Sequence, residues 1–299
     1  MTSSHMQNFL QKSWPQRVET MQFYLRQGLS KIPYLPVPVR LQVSPSQEIG
    51  FWWSQIVPYF DSNRGFFDYW GEDVGDLRFL WNALDPGMVF MDLGAYQGIY
   101  SVVAGKKLQG TRNIFAFEPS PREFRRLRLH LRWNRLSTAR AEMLALGAGK
   151  SKTTFFQVKS GDTTRNGLRA PDSSDTVTEI PVNIISLDEY VREQNIQRVD
   201  VIKLDVEGGE IDVLRGAAKV FGEKRPLLIC EVLDATTHAW GYDASEIIRA
   251  VRNYDYDWFD FNSDGSLEPH AERQSYPRVK NYLAVPREKR ELVMQRSVA

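Results

Sequence analysis

The sequence predicts an α/β fold built on a mostly parallel sheet, and three observations carry that prediction. Short apolar runs alternate with helical patterns along most of the chain. Several of these runs read as continuously apolar, as strands buried on both faces do. Three of them end in a carboxylate, at Asp92, Glu118 and Asp205, and two of those ends pass through glycines into a helix. Strands are expected near residues 89–93, 113–118, 142–146, 199–204, 226–231, 256–261 and 280–285. The last two, separated by Asn262-Ser-Asp-Gly265 and a short polar excursion, look like a hairpin that makes one strand antiparallel.

Residues 1–73 read as an N-terminal extension. Met1-Thr-Ser-Ser-His-Met6 has the character of an expression scar. Val18, Met21, Leu25, Gly28, Leu29 and Ile32 follow helical spacing that stops near Pro33. Pro33, Pro36 and Pro38 then make an extended connector. An aromatic stretch follows, from Phe51-Trp52-Trp53 to Tyr69-Trp70, suited either to packing or to a lid over a pocket.

The main domain, residues 74–288, opens with a helix over 74–84 that Asp85-Pro-Gly87 ends. The first strand runs into Asp92-Leu-Gly94-Ala-Tyr96-Gln-Gly98, where Gly94 permits a tight turn and Gly98 a close approach to the following helix. This is not the G-x-G-x-x-G of dinucleotide binders. A carboxylate at this point repels a pyrophosphate and attracts a cationic amino group. The second strand ends at Glu118-Pro119, where an acid typically accepts hydrogen bonds from ribose hydroxyls.

Helix 121–135 carries a dense arginine face over a stripe of Phe124, Leu127 and Leu131. It reads as a solvated outer helix, with lipid, RNA or phosphate binding as the alternative. Residues 147–185 interrupt the alternation with two strand-like runs around a polar loop, which reads equally as a mobile loop or as one inserted where it can reach the rim of the sheet. The fourth strand, Val199 to Leu204, ends in Asp205-Val-Glu207-Gly208-Gly-Glu210 and resumes as a helix. Ligands of open α/β sheets bind beyond such strand ends. Residues 289–299 are left as a C-terminal tail.

Composition narrows the class. The 299 residues are 42% hydrophobic, enough for one substantial core, and 38 basic residues against 37 acidic argue against a generally cationic nucleic-acid binder. Cys230 is the only cysteine, which excludes an internal disulfide and a four-cysteine metal site. No apolar run reaches the length of a membrane span and no signal peptide precedes the domain, so a cytoplasmic protein with at most peripheral membrane contact is expected.

Phe90-Met-Asp92-Leu-Gly94-Ala-Tyr96-Gln-Gly98, Ala116-Phe-Glu118-Pro119-Ser, Ser186-Leu-Asp188-Glu, Lys203-Leu-Asp205-Val-Glu207-Gly208-Gly-Glu210, Glu231 and Asn281-Tyr-Leu-Ala-Val-Pro286 together resemble the FkbM family of S-adenosylmethionine-dependent methyltransferases. The resemblance covers roughly residues 74–286. Tyr96-Gln97 departs from it, since the family more often has Asn followed by a small or apolar residue. The resemblance implies a Rossmann-like class I methyltransferase fold, with seven strands in the order 3-2-1-4-5-7-6. It also implies S-adenosylmethionine held by Asp92, Gly94, Tyr96, Gly98 and Glu118. The implied activity is O-methylation of a sugar, glycolipid, polysaccharide or small natural product.

Methyl transfer to a hydroxyl benefits from a base. Asp205 is the first candidate and His238, on the rim after the fifth strand, the second. Asp205, Glu207 and Glu231 are the oxygen ligands Mg²⁺ would use if a metal takes part; a metal-free site is favoured, in which Glu207 caps the following helix and Lys203 neutralises the cluster. N-methylation or nucleic-acid methylation is the competing enzyme reading. Against it, Asp-Val-Glu-Gly stands where base N-methylating enzymes often carry Asn/Asp-Pro-Pro-Tyr/Phe. A noncatalytic module using the arginine helix is the reading from another class.

Overall fold

The structure, a computed structural model, describes residues 37–44, 46–53, 74–109, 112–159, 166–170 and 176–297. The N-terminal helical pattern, Pro33 and Pro36, and the aromatic residues from 54 to 70 lie outside the described residues, as does most of the polar insertion loop. The chain divides into two compact units, residues 1–71 and 72–299. In the first, β1 (Val37–Ser44) and β2 (Gln47–Trp53) form an antiparallel hairpin, so Pro38 lies in a strand rather than in a connector.

The second unit is built on an eight-stranded sheet. In chain order its strands are β3 (Phe90–Leu93), β4 (Ile114–Phe117), β5 (Arg140–Glu142), β9 (Val201–Leu204), β10 (Leu227–Glu231), β11 (Tyr256–Phe261), β12 (Leu267–Pro269) and β13 (Asn281–Pro286). They lie side by side as β12-β11-β13-β10-β9-β3-β4-β5. Without β12 this is the expected order 3-2-1-4-5-7-6. The polar excursion after β11 supplies β12 as an eighth, three-residue edge strand, and β13 runs antiparallel to both its neighbours. The four residues of each of β3, β4 and β9 are all buried, which is why these strands read as unbroken apolar runs.

Between β5 and β9 the chain makes a second, three-stranded sheet from β6 (Ala145–Leu146), β7 (Ser151–Val158) and β8 (Val177–Ile185). The run expected over 142–146 is thus divided between two sheets. Helices α1 (Gly75–Ala83), α2 (Ile99–Lys107), α3 (Pro121–Trp133), α4 (Leu187–Glu193), α5 (Glu210–Arg215), α6 (Asp234–Thr237) and α7 (Ser245–Arg252) fill the connections. The segment expected as a tail forms α8 (Arg290–Ser297). It docks at the end of α1 through Arg296, which pairs with Asp85 at 2.6 Å and donates to the Ala83 carbonyl at 3.2 Å.

Two strings of the resemblance have structural work to do. Ser186 Oγ accepts from Glu189 N at 3.2 Å and caps α4. Asp188 accepts from the Lys219 and Val220 amides, both at 2.9 Å, and so caps the wide helical turn Val220–Lys224.

Candidate functional site

The carboxyl ends of β3, β4, β9 and β10 meet along one edge of the sheet, and the turns that follow them are interlocked. After β3, Gly94 has φ +83°, and a Cβ there would stand 1.7 Å from the Asp205 carbonyl oxygen after β9. Only glycine lets these two turns touch. Gly98 has φ +89°, and a Cβ on it would meet Leu127 of α3 at 2.5 Å. Its close approach is therefore to a helix. Tyr96 also sits in the left-handed region, at φ +48°. Asn tolerates that conformation best among non-glycine residues, which accounts physically for the residue the FkbM pattern prefers there.

The carboxylates predicted for the ligand are buried and tied into these turns. Asp92 Oδ2 accepts from Ser101 N at 3.0 Å and Ser101 Oγ at 2.6 Å. Burial pushes its carboxyl up to about 6, against the opposing pull of the Ser101 bonds and the Lys203 charge. Glu118 accepts from Tyr96 N and Ser120 N, each at 2.8 Å, so the acid after β4 holds the glycine turn after β3. Burial carries it to about 8 despite those two bonds. A ligand that brings hydroxyl donors or positive charge relieves both desolvated groups.

Helix α3 clamps the same turn from outside. Its buried Glu123 accepts from Gln97 Nε2 at 3.1 Å and pairs with Arg122 and Arg126, while His130 Nδ1 donates to the Gln97 carbonyl at 2.6 Å. Leu127 and Leu131 are buried as the stripe requires, whereas Phe124 is only half-buried. Arg125, Arg128 and Arg132 are exposed.

Lys203 is the centre of charge in the next part of the site. Its side chain is 1% exposed, and Nζ lies 2.9 Å from Asp205 Oδ2, whose side chain is 31% exposed. Burial works to lower the Lys203 pKa, but the facing Asp205 and Glu231 carboxylates outweigh it and hold the ammonium above its ordinary value. Glu231 itself is pushed well up, first by burial and then by the Asp205 charge. The ammonium also lies 5.0 Å over the Tyr100 ring.

Tyr100 leads to residues that sequence reasoning missed. Its hydroxyl donates to Asp76 Oδ2 at 2.6 Å, and Asn281 Nδ2 donates to both Asp76 and Tyr100. Asp76 is buried on α1, and its pKa is raised by that burial. Asn281 Oδ1 has no partner although it is out of contact with solvent. A polar residue on the buried face of the predicted helix 74–84 was the available signal for Asp76, but only the fold joins it to Asn281.

The turn after β9 gives the capping role to a carboxylate other than the expected Glu207. Glu207 takes φ +57°, and it is Glu210 that reaches back, accepting from Val206 N at 3.1 Å and Gly208 N at 3.3 Å. Trp240 Nε1 donates to the Glu207 carbonyl at 3.1 Å, and Tyr242 Oη to the Gly208 carbonyl at 2.6 Å. His238, in the short helical turn that follows α6, is 61% exposed and faces Asp243 at 3.6 Å. No described contact joins it to Asp205.

Among the described residues, no group of three or more His, Cys, Asp or Glu side chains is placed to hold a metal ion, and no helix is long and apolar enough to cross a membrane. Lys203 supplies the positive charge that faces Asp205 and Glu231.

Comparison with known proteins bears on this edge directly. A family model, the methyltransferase FkbM domain, matches residues 92–258, from Asp92 into β11. Methyltransferase 1 of Beauveria bassiana is 28% identical over 142 residues, covering 42% of this chain and 57% of that protein. The hexuronic acid methyltransferase AglP of Haloferax volcanii is 28% identical over 141 residues, covering 47% and 54%. The 31-O-demethyl-FK506 methyltransferase FkbM of Streptomyces tacrolimicus is 28% identical over 177 residues, covering 50% and 67%. The chain thus spans about half to two thirds of the length of these relatives. Among solved structures, a methyltransferase FkbM from Methylobacillus flagellatus KT superposes with a TM-score of 0.42 at 16% identity, covering 66% of this chain and 43% of that one. Asp76 and Asn281 fall outside the matched residues, one on each side.

Proposed function

The chain belongs to the FkbM methyltransferase family, and from that premise we propose that it methylates a hydroxyl of a sugar, glycolipid, polysaccharide or small natural product, with S-adenosylmethionine as donor. One observation carries the reading: a half-exposed carboxylate, Asp205, held by a buried ammonium on the turn that touches Gly94. The names of the relatives from Haloferax and Streptomyces support acceptors of the glycan and natural-product kind.

The chemistry of the residues suits the donor. Glu118 and Asp92 are acceptor-only when ionised, fitting ribose hydroxyls and an ammonium, and they disfavour a phosphate. Gly94, Tyr96 and Gly98 form the turn those acids border. Bound there, S-adenosylmethionine supplies a methyl group made electrophilic by its sulfonium. Asp205 takes the proton of the acceptor hydroxyl as the new carbon–oxygen bond forms and the carbon–sulfur bond breaks, leaving a neutral thioether. Lys203 fixes the position of that carboxylate and holds it ionised before the transfer. His238 remains the second candidate for the proton. Because Lys203 already places a positive charge against Asp205, transfer is expected to proceed without added Mg²⁺ and in the presence of a chelator.

The test is a methyl-transfer screen with labelled donor against hydroxylated sugars, glycolipids and natural products, with amines and RNA alongside. Label in an alkali-stable ether on a hydroxylated acceptor supports the reading. Label only in amines or RNA overturns it.

A further inference from the structure

Resting on the methyl-transfer reading above, we infer that Arg169 determines acceptor specificity, and that the acceptor carries an anionic group, a carboxylate or phosphate, near the hydroxyl that is methylated. Arg169 belongs to residues 166–170 of the insertion between β7 and β8. That segment is anchored to its own sheet: Val158 N donates to the buried Asn166 Oδ1 at 2.8 Å, and Phe156 and Gly167 exchange backbone hydrogen bonds of 2.8 and 3.2 Å.

From this anchor the segment reaches the turn after β9. The Arg169 guanidinium lies 4.8 Å over the Trp240 ring. Trp240 donates to the Glu207 carbonyl, and a Cβ on Gly208 would meet its Cδ1 at 2.5 Å, so indole and turn are in close contact. A Cβ on Gly167 would meet Glu207 Cβ at 3.6 Å. Arg169, Trp240 and Glu207 therefore form one rim, with Asp205 two residues before Glu207.

The stacking explains what the guanidinium is free to do. Contact with an indole face uses the plane of the group and leaves its five N–H donors pointing outward from the edge. Arg122 and Arg126 are committed to buried Glu123, and Arg273 pairs with Asp260. Arg169 is exposed and has no acidic partner among the described residues. A fork of donors, oriented in advance on the indole that packs against the turn following the candidate base, matches a carboxylate or phosphate in two-point contact.

The experiment titrates D-glucose, D-glucuronate and D-glucose 6-phosphate, which differ only at one carbon, into the protein saturated with S-adenosylhomocysteine. The expected result is that one of the two anions binds at least about tenfold more tightly than glucose, a factor at the low end for a hydrogen bond to a charged group. Whichever anion is preferred identifies the source of the charge. Arg169→Gln should abolish the preference, Arg169→Lys should keep part of it, and neither should alter affinity for S-adenosylhomocysteine. Equal binding of all three sugars, binding of none, or a preference that survives in Arg169→Gln overturns the inference. If S-adenosylhomocysteine itself fails to bind the wild type, the methyl-transfer reading falls and this inference falls with it.

Discussion

Replacing Asp205 with Asn keeps the shape of the side chain, removes its charge and leaves Lys203 facing Glu231 alone. Two magnitudes follow from the geometry. Breaking a fully buried ion pair by removing one partner costs about 3–5 kcal/mol, whereas an exposed pair contributes about 0–1. Here one partner is 1% and the other 31% exposed, and Glu231, relieved of the Asp205 charge that helps to raise it, is left to take over as counter-charge, so a loss of about 2 kcal/mol in stability is expected. The effect on turnover should be far larger, about 10²–10⁴-fold, the usual contribution of a general base. Lys203→Met separates the two roles. In the double variant no buried ammonium is left unpaired, so stability should recover by about 1–2 kcal/mol relative to the sum of the single changes. Turnover should not recover. Initial rates with labelled donor, urea unfolding and calorimetry with S-adenosylmethionine would be made on the same four proteins, and donor affinity should change little in Asp205→Asn. A double variant that regains wild-type turnover, or an Asp205→Asn variant that never loses it, would show Asp205 to be only the counter-ion of Lys203.

Two other expectations concern pH and the arginine helix. Glu118 titrates near 8 in the fold and near 4.5 when unfolded, so between roughly pH 6.5 and 8 the folded chain keeps a proton that the unfolded chain has released, and stability falls as pH rises. Over that window the fall due to Glu118 is about 2 kcal/mol, measurable from urea midpoints, and Glu118→Ala should remove it while the raised Glu231 leaves a residual slope of the same sign. A stability that rises with pH over this range would contradict the burial argument. Changing Arg125, Arg128 and Arg132 together to Gln should leave turnover of a soluble acceptor within about tenfold, because these side chains point to solvent on a helix whose buried face clamps Gln97. Complete loss of activity in a folded variant would move the acceptor site onto that helix.

What the sequence disclosed and what it withheld follow from one physical distinction. Strands such as β3, β4 and β9 are buried on both faces, so each writes its position as an apolar run, and the acid that ends the run marks the edge where ligands bind. Asp92, Glu118 and Asp205 were legible for that reason. Pairings between distant segments leave no periodic trace. Asp76 and Asn281 converge on Tyr100 only because α1 and the start of β13 come to the same edge, and nothing in either segment announces the other. The choice between Glu207 and Glu210 as the cap depended on the left-handed backbone at Glu207, which its residue type does not betray. Arg169 sat in a polar loop whose composition gave no hint that Trp240 would receive it.

On the function proposed above, the buried acids bordering the glycine turn hold the methyl donor. Isothermal calorimetry of the wild type and of Glu118→Ala with S-adenosylmethionine, with NADH as the control ligand, tests it most directly. S-adenosylmethionine should bind and NADH should not, and truncating Glu118 should weaken the binding by about 1.5–3 kcal/mol. Undiminished binding in Glu118→Ala would remove that residue from the site, and tight NADH binding with none for S-adenosylmethionine would contradict the account as a whole.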